Sequence, residues 1–538
     1  VALLLAIGAF VGCWFGSLCV DGLLVDAGVA DVWFEGDCPR VFDNLTDPHS
    51  VHARSAVHPL LALLVYPPVA ALRAAGSEPL VAARLVRAVI AGVCLALLYG
   101  LLRGGGWRRL DAALFSLLGA CSAGAMFWFA VPETYPFGLL SMLLALALLT
   151  REGPRWRLPV WDVAALLLTF AFTITNVLAG LVVTACRWPW RRAVGIVLIA
   201  GGMGMMLLAW QQQVFPSTVV VPFSWEETEY VLHADAGGPG RVLVAFLSHS
   251  MVMPALGTVP RYEKGARAVL SVQHSWPGTG TPFGAVAIAL WVVLLGLGIW
   301  GAVTTRECRR LRVALGIVLG GQLVLHLLYG LETFTYAAHY GPLLVVLAAW
   351  SVRTRWRRAA LVLAAGLLVS AAVNNVWQFA RACSYVRQRA AKVVNAEGPL
   401  AVYSPSAEAP AEVPHAARYA SAVRQMKTAT GQRHERISRP MVTSVAEHCA
   451  QSEKKTMIDS ATGSVMTGRL VPSQRMSRRA CCNEAESASS SLPRFVIVPN
   501  VATTTSRAGK EASAATPTRQ SQPRGAMTGS IPWPSRPR

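Results

Sequence analysis

Charge is what this chain lacks most. Only 14% of its 538 residues are Asp, Glu, Lys or Arg, against roughly 25% in an ordinary soluble domain. That shortage excludes a single soluble globule of this length. Acidic residues are scarcer still, 29 against 49 basic ones, for a net charge of +20. Cysteine is present but lacks metal-ligand spacing. Cys13, Cys94, Cys121 and Cys186 fall inside apolar runs, where cysteine acts as a small hydrophobe. The adjacent Cys481-Cys482 pair is not a CxxC motif, and no disulfide framework is readable. No repeat of fixed period recurs. No basic stretch precedes the first apolar run, so residues 2–20 read as a retained span rather than a cleaved leader.

What the chain has instead is apolar length. Mean hydropathy is +0.44. Runs close to the ~20 residues needed to cross a bilayer recur through the first part of the chain. The ~10-residue alternating segments of a transmembrane barrel are missing. The expectation is an all-α polytopic transmembrane protein.

Its arginines are clustered: Arg103, Arg108 and Arg109; Arg151, Arg155 and Arg157; Arg187, Arg191 and Arg192; Arg306, Arg309, Arg310 and Arg312; Arg353, Arg355, Arg357 and Arg358. Loops carrying Glu, Asp, His and Asn alternate with them. Short loops rich in Lys and Arg stay in the cytoplasm, so the clusters orient the chain and the acidic loops face outside. One stretch decides the count. Residues 57–76, interrupted by Pro67-Pro68, either cross the bilayer or lie in its interface. Only the second choice keeps every later cluster inside. The spans are then 2–20, 84–102, 110–130, 136–150, 158–174, 176–188, 193–210, 283–303, 312–330, 337–351 and 359–379, about 11 in all. This defines a membrane domain over 1–395, with a first external loop at 21–83 that carries a juxtamembrane helix. A long external loop at 211–282 reads as folded, with short helices. The tail, 396–538, is rich in Ser, Thr, Ala, Arg and Pro without sustained period. It reads as disordered and carries about half the net positive charge. Neither tail nor clusters resemble a groove-reading module, so a nucleic-acid partner is rejected.

Candidate chemistry collects in the external loops. The first reads Trp33-Phe34-Glu35-Gly36-Asp37-Cys38-Pro39-Arg40, followed by Arg54, His58 and Pro59. A carboxylate beside a glycine lets backbone and substrate approach closely and can act as a general base. Arg40 can clamp a phosphate bidentately. A solvated acidic loop with an internal ion pair is the plainer alternative. Pro132-Glu133-Thr134-Tyr135-Pro136 brackets a poorly solvated carboxylate; a helix-start acid complementing the macrodipole reads equally well. Thr175-Asn176 sits at a hairpin turn, where Asn is a common turn and cap residue. Glu332, Tyr336 and His339 share helical spacing, so one face of a short helix would present all three. Glu226, Glu227, Glu229, His233 and Asp235 crowd one stretch without ligand spacing, as do His49, His52 and His58. Asn44-Leu45-Thr46 matches a glycosylation acceptor. The spans themselves almost lack interior charge, with His326 the main ionisable exception. Transporters place such groups at the midplane; here they gather at the outer mouth.

Taken together, residues 1–380 resemble the GT-C superfamily of membrane glycosyltransferases, which includes the protein O-mannosyltransferases of family 39. The resemblance rests on the acidic first loop, His58-Pro59-Leu60 opening a juxtamembrane helix, an Arg entering the second span (Arg84 or Arg87), Pro132–Pro136 and Thr175-Asn176. Many members carry an Asp-Glu pair and His-Pro-Pro; this chain has Glu-Gly-Asp and His-Pro-Leu. The resemblance implies transfer of a sugar from a polyprenyl-phosphate donor to a glycan, lipid or protein acceptor at the outer face of the cytoplasmic membrane. It implies Asp37 as the base, with Glu35 second. Arg40, His58, Glu133, Tyr135, Asn176, Glu332 and His339 then contact donor or acceptor. No metal ligand is assigned, and the need for a divalent metal stays open. A transporter or flippase for a lipid-linked or small substrate, or a non-catalytic protein of the same fold, is the alternative.

Overall fold

The computed structural model describes residues 1–25, 31–150, 159–219, 230–261 and 267–396. All lie in one compact unit, Val1–Ser406. The expectations for Asp26, Arg151, Arg155, Arg157, Glu226, Glu227, Glu229 and the tail beyond 396 fall outside the described residues.

The architecture is helical. The long helices are α1 (Ala2–Leu18), α5 (Pro79–Gly104), α11 (Trp190–Val214), α13 (Pro282–Thr304), α14 (Arg309–Leu328) and α16 (Arg357–Ala396). Shorter apolar helices pack among them: α4 (Leu61–Ala74), α6 (Arg109–Ala120), α7 (Ala123–Phe129), α8 (Tyr135–Ala147), α9 (Val160–Phe172), α10 (Val177–Arg187) and α15 (Ala337–Ala348). Three more sit in loops: α2 (Asp21–Leu24), α3 (Cys38–Thr46) and α12 (Gly238–Ser248). Among the described residues, five helices are long and apolar enough to cross a membrane, or six if α6 and α7 form one bent span. Their outward faces stay apolar. Val303 is 75% exposed, Met206 74% and Val362 72%. Such patches are unstable in water and suit the interior of a bilayer.

Polar contacts sort to two ends of the bundle. At one end Arg357 forks onto Asp111 (2.6 and 3.1 Å), Arg187 reaches Asp162 (2.7 Å), and Arg353 bonds Glu307 and the Gly105 carbonyl. At the other end the first loop, the α7–α8 turn, the α9–α10 turn and the α14–α15 loop interlock. Trp128 Nε1 donates to the Phe334 carbonyl (2.8 Å) and Thr335 Oγ1 to that of Phe34 (3.0 Å). This second end is called the mouth below.

Residues 57–76 are built around the 14-residue apolar helix α4 (Leu61–Ala74), which carries Pro67 and Pro68 inside it. Its start is pinned to the mouth by Leu60 N–H donating to Ala171 O (2.9 Å), and Arg73 near its end bonds the Thr46 carbonyl.

Three expectations need correction. The span at 110–130 is two helices bent by 56°. Ser122 caps α7, its Oγ accepting from Ala125 N–H (3.3 Å), and Asn375 Nδ2 occupies the freed Cys121 carbonyl (2.8 Å). The span at 359–379 continues as one helix to Ala396, because no breaker interrupts it. The fold is not wholly α: strands β1 (Gly257–Arg261) and β2 (Arg267–Ser271) form an antiparallel hairpin, Gly257 opposite Ser271. Leu270 N–H docks it on the Val32 carbonyl (2.9 Å).

Candidate functional site

The first loop owes its shape to packed aromatics. Trp33 and Phe34 are fully buried. Phe34 lies edge-on to Phe127 (5.8 Å) and Phe334 (5.0 Å). Asp31, Phe34 and Glu35 adopt positive φ (66°, 51° and 62°), a conformation non-glycine residues hold only when surrounding contacts impose it. At Gly36 the determinant is space. A Cβ there would lie 3.0 Å from Glu133 Oε1, 3.0 Å from Trp33 O and 3.1 Å from a Trp128 ring carbon.

This loop delivers Asp37 to the N-cap position of α3, yet its carboxylate caps nothing. Arg40 donates to Asp37 Oδ2 through both Nε (3.0 Å) and Nη2 (2.7 Å), and Arg54 Nε approaches the same oxygen at 3.7 Å. The three side chains are a quarter to a third exposed. Two cations that solvent can reach therefore flank one accessible carboxylate.

Glu133, in the α7–α8 turn, lies beneath. It is 2% exposed and accepts the Thr134 N–H at 3.1 Å. Burial, and then the charge of Asp37, push its carboxyl up to about 8; Arg40 and the Thr134 and Asp37 backbone amides act the other way. His58 is fixed by a bond from Nδ1 to the Phe172 carbonyl (2.7 Å), and its Nε2 stands 3.4 Å from Thr134 Oγ1. Burial lowers its basicity to about 4, with Arg40 and Arg54 adding to the effect. Asp37, Arg40, Arg54, Glu133 and His58 thus share one neighbourhood.

The other expected residues divide. Glu35 is half-buried, and its charge adds to the burial that lifts the Glu332 carboxyl to about 7. Glu332 does not share a helix face with Tyr336 and His339, which corrects the expectation. It caps a 3-10 turn, Thr333–Tyr336, and turns away to clasp the hairpin. Its Oε2 accepts from Ser271 Oγ (2.6 Å), Val272 N–H (3.0 Å) and Gln273 N–H (3.2 Å). A carboxylate so engaged holds structure. Tyr135 packs edge-on against Trp128 (4.7 Å) and His339 (5.6 Å). Asn176 precedes α10 but supplies no cap; it is fully buried, and its Oδ1 accepts from Gln322 Nε2 at 3.2 Å. Both arginines entering the second span bind elsewhere, forking onto buried Asp21 at 2.9–3.0 Å. Gln322 was not readable as a site residue, because a lone amide in an apolar run carries no spacing signal.

Among the described residues no group of three or more His, Cys, Asp or Glu is placed to hold a metal ion. His233 Nδ1 accepts from Asp235 N–H (3.1 Å) instead. A groove of about 410 Å³ lies between the end of α4 and the start of α5, lined by Tyr66, Arg73, Ser77 and Glu78 among others; it holds none of the candidate residues. No family model, no curated protein and no solved structure matches this chain.

Proposed function

We propose that this protein is an integral membrane glycosyltransferase. It transfers a sugar from a polyprenyl-phosphate donor to a hydroxyl acceptor at the extracytoplasmic face of the cytoplasmic membrane. The reading counts the bent α6–α7 pair as one span and takes about 11 crossings, with the arginine end in the cytoplasm. One observation carries it: an accessible carboxylate, Asp37, stands between two accessible guanidinium groups at one end of a lipid-suited bundle.

In this mechanism the acceptor hydroxyl gives its proton to an Asp37 oxygen as its own oxygen bonds the anomeric carbon. The bond from that carbon to the phosphate oxygen breaks, and the electron pair leaves with the lipid phosphate. Arg40 and Arg54 stabilise the charge on the leaving phosphate, which is worth most where water is excluded. Glu133 is held protonated at neutral pH and so adds no second negative charge beside the donor. His58 is held neutral and braces the loop through Phe172 and Thr134.

Asp37→Asn tests the assignment. It is expected to lower transfer by at least ~100-fold while expression and donor binding persist. Glycan product at the wild-type rate would remove Asp37 from the base role. Transport is the second reading, favoured by the bend between α6 and α7 and by buried polar side chains within the bundle. It predicts that substrate crosses vesicles bearing Asp37→Asn at the wild-type rate.

A further inference from the structure

Inside the bundle, next to the mouth, neutral polar side chains meet. Asn176 comes from the start of α10, Gln322 and His326 from α14 at i, i+4 spacing, and His339 from α15. All four are 4% exposed or less. One hydrogen bond links two of them, Gln322 Nε2 to Asn176 Oδ1 at 3.2 Å. Asn176 Nδ2, Gln322 Oε1, His326 Nε2 and His339 Nε2 are left without a partner. Two of these atoms converge on Gly138: a Cβ there would lie 2.2 Å from His339 Nε2 and 3.0 Å from Asn176 Nδ2.

A buried polar atom without a partner is costly and calls for a specific explanation. Four from three helices in one seam do not serve packing, since apolar side chains would fill the same volume at lower cost. Polar groups within membrane segments mark sites by default.

The chemistry of the seam is specific. It offers an amide N–H donor, an amide carbonyl acceptor and two imidazole nitrogens, with no carboxylate, Lys or Arg among the four. A charged ligand would find no counter-ion there. Aromatic rings wall it: Tyr336 lies 5.1 Å from His326 and 6.2 Å from His339, Tyr340 5.4 Å from His326, and Tyr135 5.6 Å from His339. Tyr336 is partly exposed and stands where the seam meets the surface. Apolar walls with a few fixed polar groups suit a small organic ligand. Hydroxyls both donate and accept, and the C–H face of a pyranose packs on an aromatic ring.

We propose that this seam is a binding site for an uncharged polyhydroxylated ring, a hexose. Its assignment to the sugar of the lipid-linked donor rests on the glycosyltransferase reading. The site adjoins the mouth through Thr134 and Tyr135, consecutive residues that contact His58 and His339 respectively. The donor would then be held in two parts, phosphate by Arg40 and Arg54 and ring by the seam.

The full-length protein in nanodiscs tests this with three probes: bare polyprenyl phosphate, the same lipid carrying glucose, mannose or galactose, and the methyl hexosides. The variants are Gln322→Leu and His326→Phe. The second removes no hydrogen bond recorded for His326 and keeps a ring against Tyr336 and Tyr340, so it tests the site even if the first fails to fold. Wild type is expected to prefer one glycosylated lipid at least ten-fold over the bare lipid. The variants are expected to lose that preference and to bind bare lipid within two-fold of wild type. Equal wild-type affinity for bare and glycosylated lipid overturns the seam and leaves the phosphate reading standing. Variants that keep the preference overturn it as well, and assign the unpaired atoms to bridging water. Failure of wild type to bind any lipid phosphate removes the donor reading instead. The seam then stands if a methyl hexoside raises the unfolding temperature of wild type and not of His326→Phe, and falls otherwise.

Discussion

Asp37 sits where an aspartate ordinarily accepts backbone N–H bonds at the start of a helix. Here Arg40 and Arg54 take its carboxylate instead, and α3 begins uncapped. The residue gives up a local stabilising role for a contact at the surface of the mouth. A methyl group on Gly36 beside it would press on Glu133, Trp33 and Trp128, which must each give by a few tenths of an ångström. Gly36→Ala is expected to push the loop off Glu133, costing about 1–3 kcal/mol and lowering transfer more than donor binding; unaltered activity and unfolding temperature would show that the close approach is dispensable. Glu133 makes a pH prediction. Its folded-state affinity for protons is raised, to about 8 from an ordinary 4.5, so the folded state binds a proton that the unfolded state releases. Stability therefore falls as pH rises from about 4.5 to about 8. Glu133→Gln removes that slope. At pH 8 it is expected to be more stable than wild type by roughly 4 kcal/mol, read as a higher thermal midpoint in detergent, with little difference at pH 4.5. A parallel slope in both proteins would mean Glu133 is charged when folded.

At the scale of elements, apolar length and turn chemistry made most helices legible before the structure. The α9–α10 hairpin around Asn176 was read from run length and turn chemistry. The bend between α6 and α7 was not, because its cause lies far along the chain. Asn375 of α16 donates to the carbonyls of Cys121 (2.8 Å) and Met251 (2.9 Å) and accepts from Met253 N–H (2.9 Å). Non-helical backbone within an apolar bundle persists where protein groups satisfy it. Local sequence shows Ser122 as a cap but not the amide that completes the break. The hairpin escaped for a related reason: its anchor, Glu332, lies about sixty positions on, and its spacing to Tyr336 and His339 suggested a helix face. Asn375→Ala leaves two backbone groups unpaired, the Cys121 carbonyl and the Met253 N–H, since the Met251 carbonyl still accepts from Ala123 N–H (3.1 Å). It is expected to destabilise the protein by about 3 kcal/mol or more, seen as a lower unfolding temperature in detergent. A wild-type midpoint would mean that the break is held by packing.

At the scale of the whole molecule, the two ends differ in kind. One gathers Arg187 and Arg357 on buried aspartates and Arg353 on exposed Glu307; the other gathers Asp37 with Arg40 and Arg54, Glu133, Glu332 and the histidines. Asp37 and Glu133 meet at the second, where the Asp37 backbone amide bonds the Glu133 carboxyl. In the proposed reading the arginine end faces the cytoplasm. The prediction is specific. In a background with Cys19, Cys449, Cys481 and Cys482 each changed to Ser, His49→Cys at the mouth and Arg108→Cys at the arginine end are both at exposed positions. A membrane-impermeant maleimide is expected to label His49→Cys in intact cells and Arg108→Cys only after permeabilisation. The reverse pattern would turn the mouth inward and remove the lipid-linked donor from the leaflet the mechanism requires. Labelling of both without permeabilisation would mean that the bundle does not separate its ends, and with it would go the inference that the apolar helices cross.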